Sequence, residues 1–179
     1  TVSETAHTLT SNSTQMITGA LSQTARQCLP LSTVGINGGD ITFTMQVDPV
    51  KRNYVTVKFW GGDESAYASN MGRLYLYVPL DGVNYSISGR HESEYTALSL
   101  DGDKDPLPGR FFYSTTMLPL WITKGKTLLT VKIVSTGRIY GLGTGLAPSG
   151  NYQYLMDAPS RGIYKAFTHT EAMIDASAE

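Results

Sequence analysis

The chain has 179 residues, a formal net charge of -1 and only 16% charged residues. Nucleic-acid binding needs a clustered basic face, which this charge balance does not indicate, and no apolar run approaches the roughly 20 residues of a membrane span. The single cysteine, Cys28, excludes an internal disulfide and a cysteine-based metal site. We therefore expect neither a nucleic-acid partner nor a membrane span.

Threonine, serine, glycine and tyrosine take the place of the charged residues, which favours an all-β protein because these are strand and turn residues. The length fits a single domain, 1–179, with a full core. The chain begins at Thr1 with no initiator methionine, and its composition is common in secreted proteins. These features predict a module excised from a larger protein, located outside the cell or at the cell surface.

The first forty residues give the weakest patterns. Thr1 to Ser13 is polar and predicts a tail or a loosely packed first strand. Apolar residues from Ile17 to Cys28 then recur at helical spacing, while Gly19 and many serines and threonines weaken a helix. A short N-terminal helix and a pair of strands are both compatible with this stretch. Gly35 to Asp40 predicts a turn.

The clearest strand is Ile41 to Val47, where apolar and polar residues alternate strictly and Asp48-Pro49 ends the pattern. A second alternating stretch, Asn53 to Gly62, follows immediately. Because strands that are close in sequence often pair, we expect these two to be antiparallel neighbours.

Trp60 is the most function-like residue of the second strand. Val55, Val57 and Phe59 have the spacing of a core face, which places Trp60 on the opposite face at the strand end, beside two glycines. An indole there covers the open end of a sandwich or offers a flat platform to a ligand. The sequence leaves both roles open and slightly favours the cover.

Further alternating or aromatic-rich stretches continue the strand pattern to the end of the chain. Leu74, Leu76 and Val78 are expected to face inward, and Tyr75 and Tyr77 outward. These strands are predicted at Arg73–Val78, Val83–Ser88, Tyr95–Leu100, Arg110–Thr116, Thr127–Ser135 and Gly162–Thr170. Eight or more short strands joined by regular turns predict an antiparallel β-sandwich.

Three segments resemble the galactose-binding-like jelly-roll family. Arg73 to Val78 followed by Asp81-Gly82 is similar to its strand-and-turn unit, Lys124 to Ile133 to its lysine-glycine-strand unit, and Asn53 to Gly62 to the strand upstream. The resemblance covers roughly Asp40 to Ser135. It implies a carbohydrate-binding module attached to other domains of a secreted glycoside hydrolase or polysaccharide lyase, with a polysaccharide or oligosaccharide as ligand.

A sugar site needs exposed aromatic faces and planar polar groups around them. Long loops gather at the ends of a sandwich, so three glycine-rich or aromatic-rich loops are expected to form one site. Trp121 is a further candidate platform, but Leu120 and Ile122 on either side favour a place in the core. The predicted carbohydrate-binding residues are Trp60, Asp63, Glu64, Arg138, Tyr140, Tyr152, Tyr154 and Arg161.

Asp101, Asp103 and Asp105 alternate in a short loop, and carboxylates in this arrangement can surround a calcium ion. Pro106 and Phe112 occupy the positions where an EF-hand has glycine and glutamate, so the loop is not an EF-hand. It is either a solvated acidic turn or the site of one structural Ca²⁺, which carbohydrate modules of the resembled kind often hold.

Catalytic motifs are absent, since the chain has no Gly-x-Ser-x-Gly nucleophile elbow. Glu92, Glu94 and Asp101 could act as paired carboxylates only if folding set them at a suitable separation. We therefore expect a non-catalytic protein. The alternative role is a structural domain that packs against a catalytic domain and binds no sugar itself.

Overall fold

The computed structural model describes residues 2–61, 72–80, 85–90, 111–140, 151–153 and 155–173. In the strands at 85–90, 138–140 and 151–153, only the backbone is considered. The helices are α1 (Val2–Ala6), a 3₁₀ turn (Ala20–Ser22) and α2 (Leu120–Thr123). The strands are β1 (Thr10–Asn12), β2 (Thr14–Thr18), β3 (Thr24–Cys28), β4 (Asn37–Gln46), β5 (Tyr54–Trp60), β6 (Arg73–Pro79), β7 (Tyr85–Arg90), β8 (Phe111–Met117), β9 (Leu128–Thr136), β10 (Arg138–Tyr140), β11 (Asn151–Gln153) and β12 (Lys165–His169).

The protein is an antiparallel β-sandwich, as the sequence predicts. A five-stranded sheet has the order β1-β4-β9-β6-β7, and a three-stranded sheet has the order β12-β5-β8. Two small hairpins, β2–β3 and β10–β11, complete the described strands, and neither main sheet closes on itself. The short described helices are not long or apolar enough to cross a membrane.

The core forms between the two main sheets because the alternating strands each turn one apolar face inward. In the larger sheet, Phe43 pairs with Val131 and Met45 with Leu129 across β4 and β9. The smaller sheet contributes the inner face of β5. Most of the buried apolar residues form one cluster: Cys28, Ile41, Phe43, Met45, Val47, Val55, Val57, Phe59, Leu74, Leu76, Val78, Leu118, Ile122, Leu129, Val131 and Ile133.

The prediction that the strands containing Ile41–Val47 and Val55–Phe59 are neighbours was wrong. β4 pairs with β1 and β9, whereas β5 pairs with β12 and β8. Both strands carry a full apolar face, and in the sandwich these faces pack against each other instead of lying side by side. The chain therefore crosses from one sheet to the other through the connection at 48–53.

Asp48 and Asn53 form the hydrogen bonds of this crossing. The Asp48 carboxylate accepts bonds from the backbone N–H groups of Val50 and Lys51, both at 2.8 Å. The Asn53 side chain accepts from the Asp48 N–H at 2.7 Å and donates to the Asp48 carbonyl at 2.9 Å. These bonds replace the ladder bonds that the backbone loses where it leaves the sheet.

The stretch from Ile17 to Cys28 is a strand pair and not a helix. β2 and β3 form a hairpin in which Ile17 pairs with Ala25, and the turn contains Leu21 and Ser22 with positive φ. The preceding residues include the short helix α1 and then β1, which pairs with the edge of β4. The β-branched threonines of this region favour extended backbone over the helical spacing of its few apolar residues.

The alternation predicted for β6 is confirmed, because Leu74, Leu76 and Val78 are all buried. Tyr75 alternates with these residues and so lies on the opposite face, as predicted, but it is only 2% exposed, so this outward tyrosine is covered by other residues. The predicted strand Tyr95–Leu100 lies outside the described residues.

Candidate functional site

Trp60 lies on the outer face of the three-stranded sheet, opposite to Val55, Val57 and Phe59, as its place in the sequence predicts. It is half-buried and pairs with Phe111 on β8. The register places several more aromatic residues on the same face, which we call the outer aromatic face. Its aromatic members are Tyr54, Trp60, Phe111, Tyr113, Phe167 and His169.

Trp60 is packed by neighbouring rings. Its indole meets the Phe111 ring edge-on at a centroid distance of 4.9 Å and an angle of 68°. Phe111 in turn meets Tyr164 at 5.0 Å and 72°, and the Lys58 Nζ lies 4.2 Å from the centre of the Phe111 ring. These contacts are typical of a structural cluster, which supports the role of Trp60 as a cover for this end of the sandwich.

The far end of the outer aromatic face holds a second packed group. Tyr54 and His169 stack at 5.6 Å with only 14° between their planes. Thr56 Oγ1 lies 2.7 Å from both Thr115 Oγ1 and His169 Nε2. The polar atoms at the centre of the face therefore bond to each other across three strands, which fixes the rings around them.

Arg161 lies next to Trp60, but its hydrogen bond is with the Trp60 backbone. Its Nη1 donates a hydrogen bond of 2.8 Å to the Trp60 carbonyl, and its guanidinium carbon lies 5.3 Å from the Phe112 ring centre. The residue is only 3% exposed. This burial favours a positioning role for Arg161, which holds the end of β5, over direct contact with a ligand.

The other predicted sugar-binding residues are placed only in part. The backbone register pairs Arg138 with Gln153, Ile139 with Tyr152 and Tyr140 with Asn151 in the β10–β11 hairpin. This hairpin continues from the end of β9, at the end of the sandwich that contains Trp60. Asp63, Glu64 and Tyr154 lie outside the described residues, as do the loop residues Asp101, Asp103 and Asp105, and the carboxylates Glu92 and Glu94.

Trp121 differs most from its predicted place. The sequence favours the core for this residue, but its side chain is 63% exposed. The reason is local: the chain leaves β8 and forms the single turn of α2, in which Ile122 and Thr123 are buried. Successive residues of a helix point in different directions, so the turn that buries Ile122 and Thr123 leaves the preceding Trp121 in solvent.

Trp121 belongs to an exposed apolar surface that we call the Trp121 end. Three backbone hydrogen bonds join the segments that form it: Gly125 N–H to Pro49 O at 2.9 Å, Leu118 N–H to Asn53 O at 2.8 Å, and Val47 N–H to Thr127 O at 2.9 Å. Its exposed apolar side chains are Val50, Met117, Leu120, Trp121 and Leu128. Exposed apolar groups gathered in this way are typical of binding surfaces.

Sequence reasoning missed four of these five residues because each stands at the end of a strand or in a short connection. Two signals do mark the surface. Pro49 and Pro119 interrupt the strand pattern close to large apolar residues, and lysines follow at Lys51, Lys124 and Lys126. An apolar connection between lysines indicates a surface segment, because a core segment has little tolerance for unpaired charge.

A separate cleft of about 740 Å³ lies under the N-terminal segment. Core residues such as Phe43 and Met45 line it, together with Lys58 and Tyr164. Glu4 and Arg26 stand at its rim and form an ion pair with two contacts of 2.8 Å. The rest of the lining mixes apolar core side chains with polar ones such as Gln23 and Lys165.

The titratable groups of the described residues suggest neither a nucleophile nor a metal site. Burial raises the pKa of the Cys28 thiol to about 12, so it stays protonated and unreactive at neutral pH. Among the residues that the structure describes, no group of three or more histidine, cysteine or acidic side chains could hold a metal ion.

Comparison with known proteins adds no further constraint on the two ends of the sandwich. A scan against protein-family models finds no match, and a search of curated proteins finds no match either.

Proposed function

We propose that the protein is a non-catalytic carbohydrate-binding β-sandwich that recognises a polysaccharide by aromatic stacking and hydrogen bonding. The observation that carries the proposal is the 63% exposure of Trp121 on a short helix at the end of the sandwich. A large aromatic side chain left in water has a hydrophobic driving force toward any flat apolar face. Sugar rings present such a face on their C–H side.

The Trp121 end has the composition that this kind of binding needs. Leu120 and Met117 extend the apolar surface beside the indole, and Lys124 and Lys126 supply donors for sugar hydroxyl groups at its edge. The helix that carries Trp121 is anchored by the burial of Leu118 and Ile122. The platform is therefore held by the fold before a ligand arrives, which lowers the entropic cost of binding.

The residues predicted at the opposite end remain part of the proposal as a second contact region. Trp60, with the β10–β11 hairpin nearby, offers a smaller exposed surface than Trp121 because its ring is half-buried against Phe111. In this proposal Trp60 mainly stabilises the sandwich. Asp63, Glu64, Arg138, Tyr140, Tyr152 and Tyr154 stay predicted ligand contacts at that end.

The second candidate function is a structural domain of a secreted glycoside hydrolase or polysaccharide lyase. The same exposed side chains favour it, because Val50, Leu120, Trp121 and Leu128 would suit a surface buried against a catalytic domain. In that case Trp121 is a packing residue and the isolated chain binds no sugar. Both functions place the protein outside the cell or at its surface.

Titration calorimetry against a panel of plant, algal and microbial polysaccharides distinguishes the two functions. We expect binding to at least one glycan, and Trp121→Ala to weaken it about fivefold or more, as for a central aromatic residue of an interface. The control is Val34→Ala, which removes an apolar side chain that is even more exposed, at 79%, before the start of β4 at the far end. Failure of every glycan to bind would favour the structural domain.

A structural Ca²⁺ held by Asp101, Asp103 and Asp105 is a separate part of the proposal. A bound ion stabilises the folded state by mass action, so millimolar calcium should raise the melting temperature of the protein and a chelator should lower it. Asp103→Asn should reduce that difference. An unchanged melting temperature in calcium and in chelator would contradict the proposed ion.

A further inference from the structure

We infer that the glycan bound at the Trp121 end is anionic, with uronate or sulfate groups. This inference rests on the proposed function and specifies its ligand class. Four basic residues lie in the same two segments as the exposed apolar side chains of this end. Lys51 and Arg52 lie in the connection between the sheets, and Lys124 and Lys126 lie in the turn between α2 and β9; all four are exposed.

The two basic pairs are held on the same side of the molecule by the backbone. The Gly125 N–H donates to the Pro49 carbonyl at 2.9 Å, which ties the turn of Lys124 and Lys126 to the connection of Lys51 and Arg52. Gly125 itself has a φ of 74°, a conformation that suits glycine and sets the direction of the turn. The two segments that carry the positive charges are therefore joined to each other next to α2, the helix of Trp121.

None of the ion pairs in the described part of the chain includes these four side chains, although the charge of Lys51 adds to the backbone N–H bonds that lower the pKa of Asp48. The ion pairs there are Arg26–Glu4 and Lys132–Asp40, neither of which lies at this end. The described acidic residues near the Trp121 end are Asp48 and Glu171, and the Asp48 carboxylate is occupied by two backbone N–H groups. Among the described residues, four cations against two carboxylates give this end a positive balance, in a chain whose net charge is -1.

An anionic glycan fits this combination through its two kinds of group. Its ring faces stack on Trp121, while carboxylate or sulfate groups at the rim form charge-assisted hydrogen bonds with lysine and arginine. Because the basic residues are exposed, each contact is weak and sensitive to salt. A neutral glycan would use the indole but leave the four charges without a partner.

The test compares three ligands by titration calorimetry on the full chain: polygalacturonate, a neutral polysaccharide, and vesicles containing anionic phospholipid. We expect polygalacturonate to bind most tightly and to lose about fivefold or more in affinity between 50 and 500 mM NaCl, because salt screens exposed charges. Lys124→Gln with Lys126→Gln should weaken it by a similar factor. The control Lys132→Gln with Lys165→Gln changes the net charge equally at exposed or half-exposed sites on other surfaces, and should have little effect.

The other outcomes distinguish the claim of an anionic ligand from the claim of glycan binding. Equal, salt-independent binding of the neutral polysaccharide would overturn the anionic ligand and leave the proposed glycan-binding function intact. Loss of polygalacturonate binding in the control pair as much as in the Lys124 and Lys126 pair would also overturn it. Binding to vesicles alone, or to none of the three ligands and no other glycan, would overturn both the ligand class and the function.

Discussion

Trp60 and Trp121 are the two tryptophans of the chain, and their surroundings predict opposite effects of substitution. Trp60 contacts Phe111 edge-on, and its carbonyl binds the buried Arg161. Trp121 stands in solvent on α2. Trp60→Ala should therefore lower the free energy of unfolding by about 2 kcal/mol, since it opens a gap in a ring cluster.

Trp121→Ala should change that free energy by less than about 0.5 kcal/mol, as substitutions at exposed positions usually do. Urea denaturation followed by circular dichroism measures both values. Equal losses for the two variants would show that Trp121 is packed like Trp60 and would remove it as a free platform.

The connection at 48–53 shows, at the scale of one element, how a single carboxylate directs the chain from one sheet to the other. Hydrogen bonds from the backbone N–H groups of Lys51 and Val50 lower the pKa of Asp48 below its ordinary value of 3.8. Because the pKa of Asp48 is lower in the folded protein, its ionised carboxylate stabilises the fold at pH values above the ordinary pKa. This stabilisation is lost as the pH falls through the pKa that Asp48 has in the folded protein.

Asp48→Ala should therefore lower the melting temperature at neutral pH, and the difference from the natural chain should shrink in acid. Asp48→Asn is the matched control, because an amide oxygen still accepts the two N–H bonds but carries no charge. At neutral pH we expect the melting temperature of Asp48→Asn to lie between those of Asp48→Ala and the natural chain. A melting temperature of Asp48→Ala equal to that of the natural chain would contradict the role of this carboxylate.

Gly39 allows β4 to approach the N-terminal segment closely, so this strand requires a residue without a Cβ at that position. A Cβ at this position would overlap the carbonyl oxygens of Asn12 and Ser13, which are backbone atoms and cannot rotate away. Gly39→Ala should destabilise the protein by about 2 kcal/mol through this overlap.

Gly125→Ala makes a useful contrast, since nothing lies within 4 Å of its added Cβ and only its φ of 74° opposes the substitution. We expect a cost of about 1 kcal/mol there. Denaturant unfolding of the two variants measures both costs, and a smaller loss for Gly39→Ala than for Gly125→Ala would refute the close approach.

At the scale of the whole molecule, the sequence predicts the strands better than their partners. Alternation identifies β4, β5 and β9 because each buries one apolar face, a property of the strand alone. Pairing depends on which faces meet across the sandwich, so β4 and β5 were wrongly expected to be neighbours. Local spacing also fails at Trp121, because the turn of α2 buries Ile122 and Thr123 and leaves Trp121 exposed.

The candidate site also has one part that the sequence predicts and one part that it does not. The position of Trp60 on the face opposite the core follows from period-two spacing and is confirmed. The Trp121 end requires two segments far apart in sequence, 47–53 and 117–128, to meet, and the hydrogen bonds of Pro49, Asn53 and Thr127 that bring them together have no sequence pattern of their own. A binding surface built from connections is thus visible only after folding.

Fluorescence of a single-tryptophan variant tests most directly whether Trp121 binds a glycan. In Trp60→Phe, which preserves a ring against Phe111, Trp121 is the sole indole and reports its own contact with water. Titration with polygalacturonate should shift its emission to shorter wavelength and reduce quenching by acrylamide, because stacking excludes water from the indole. Unchanged emission and quenching under conditions where calorimetry detects binding would show that the glycan binds elsewhere and would contradict the central claim.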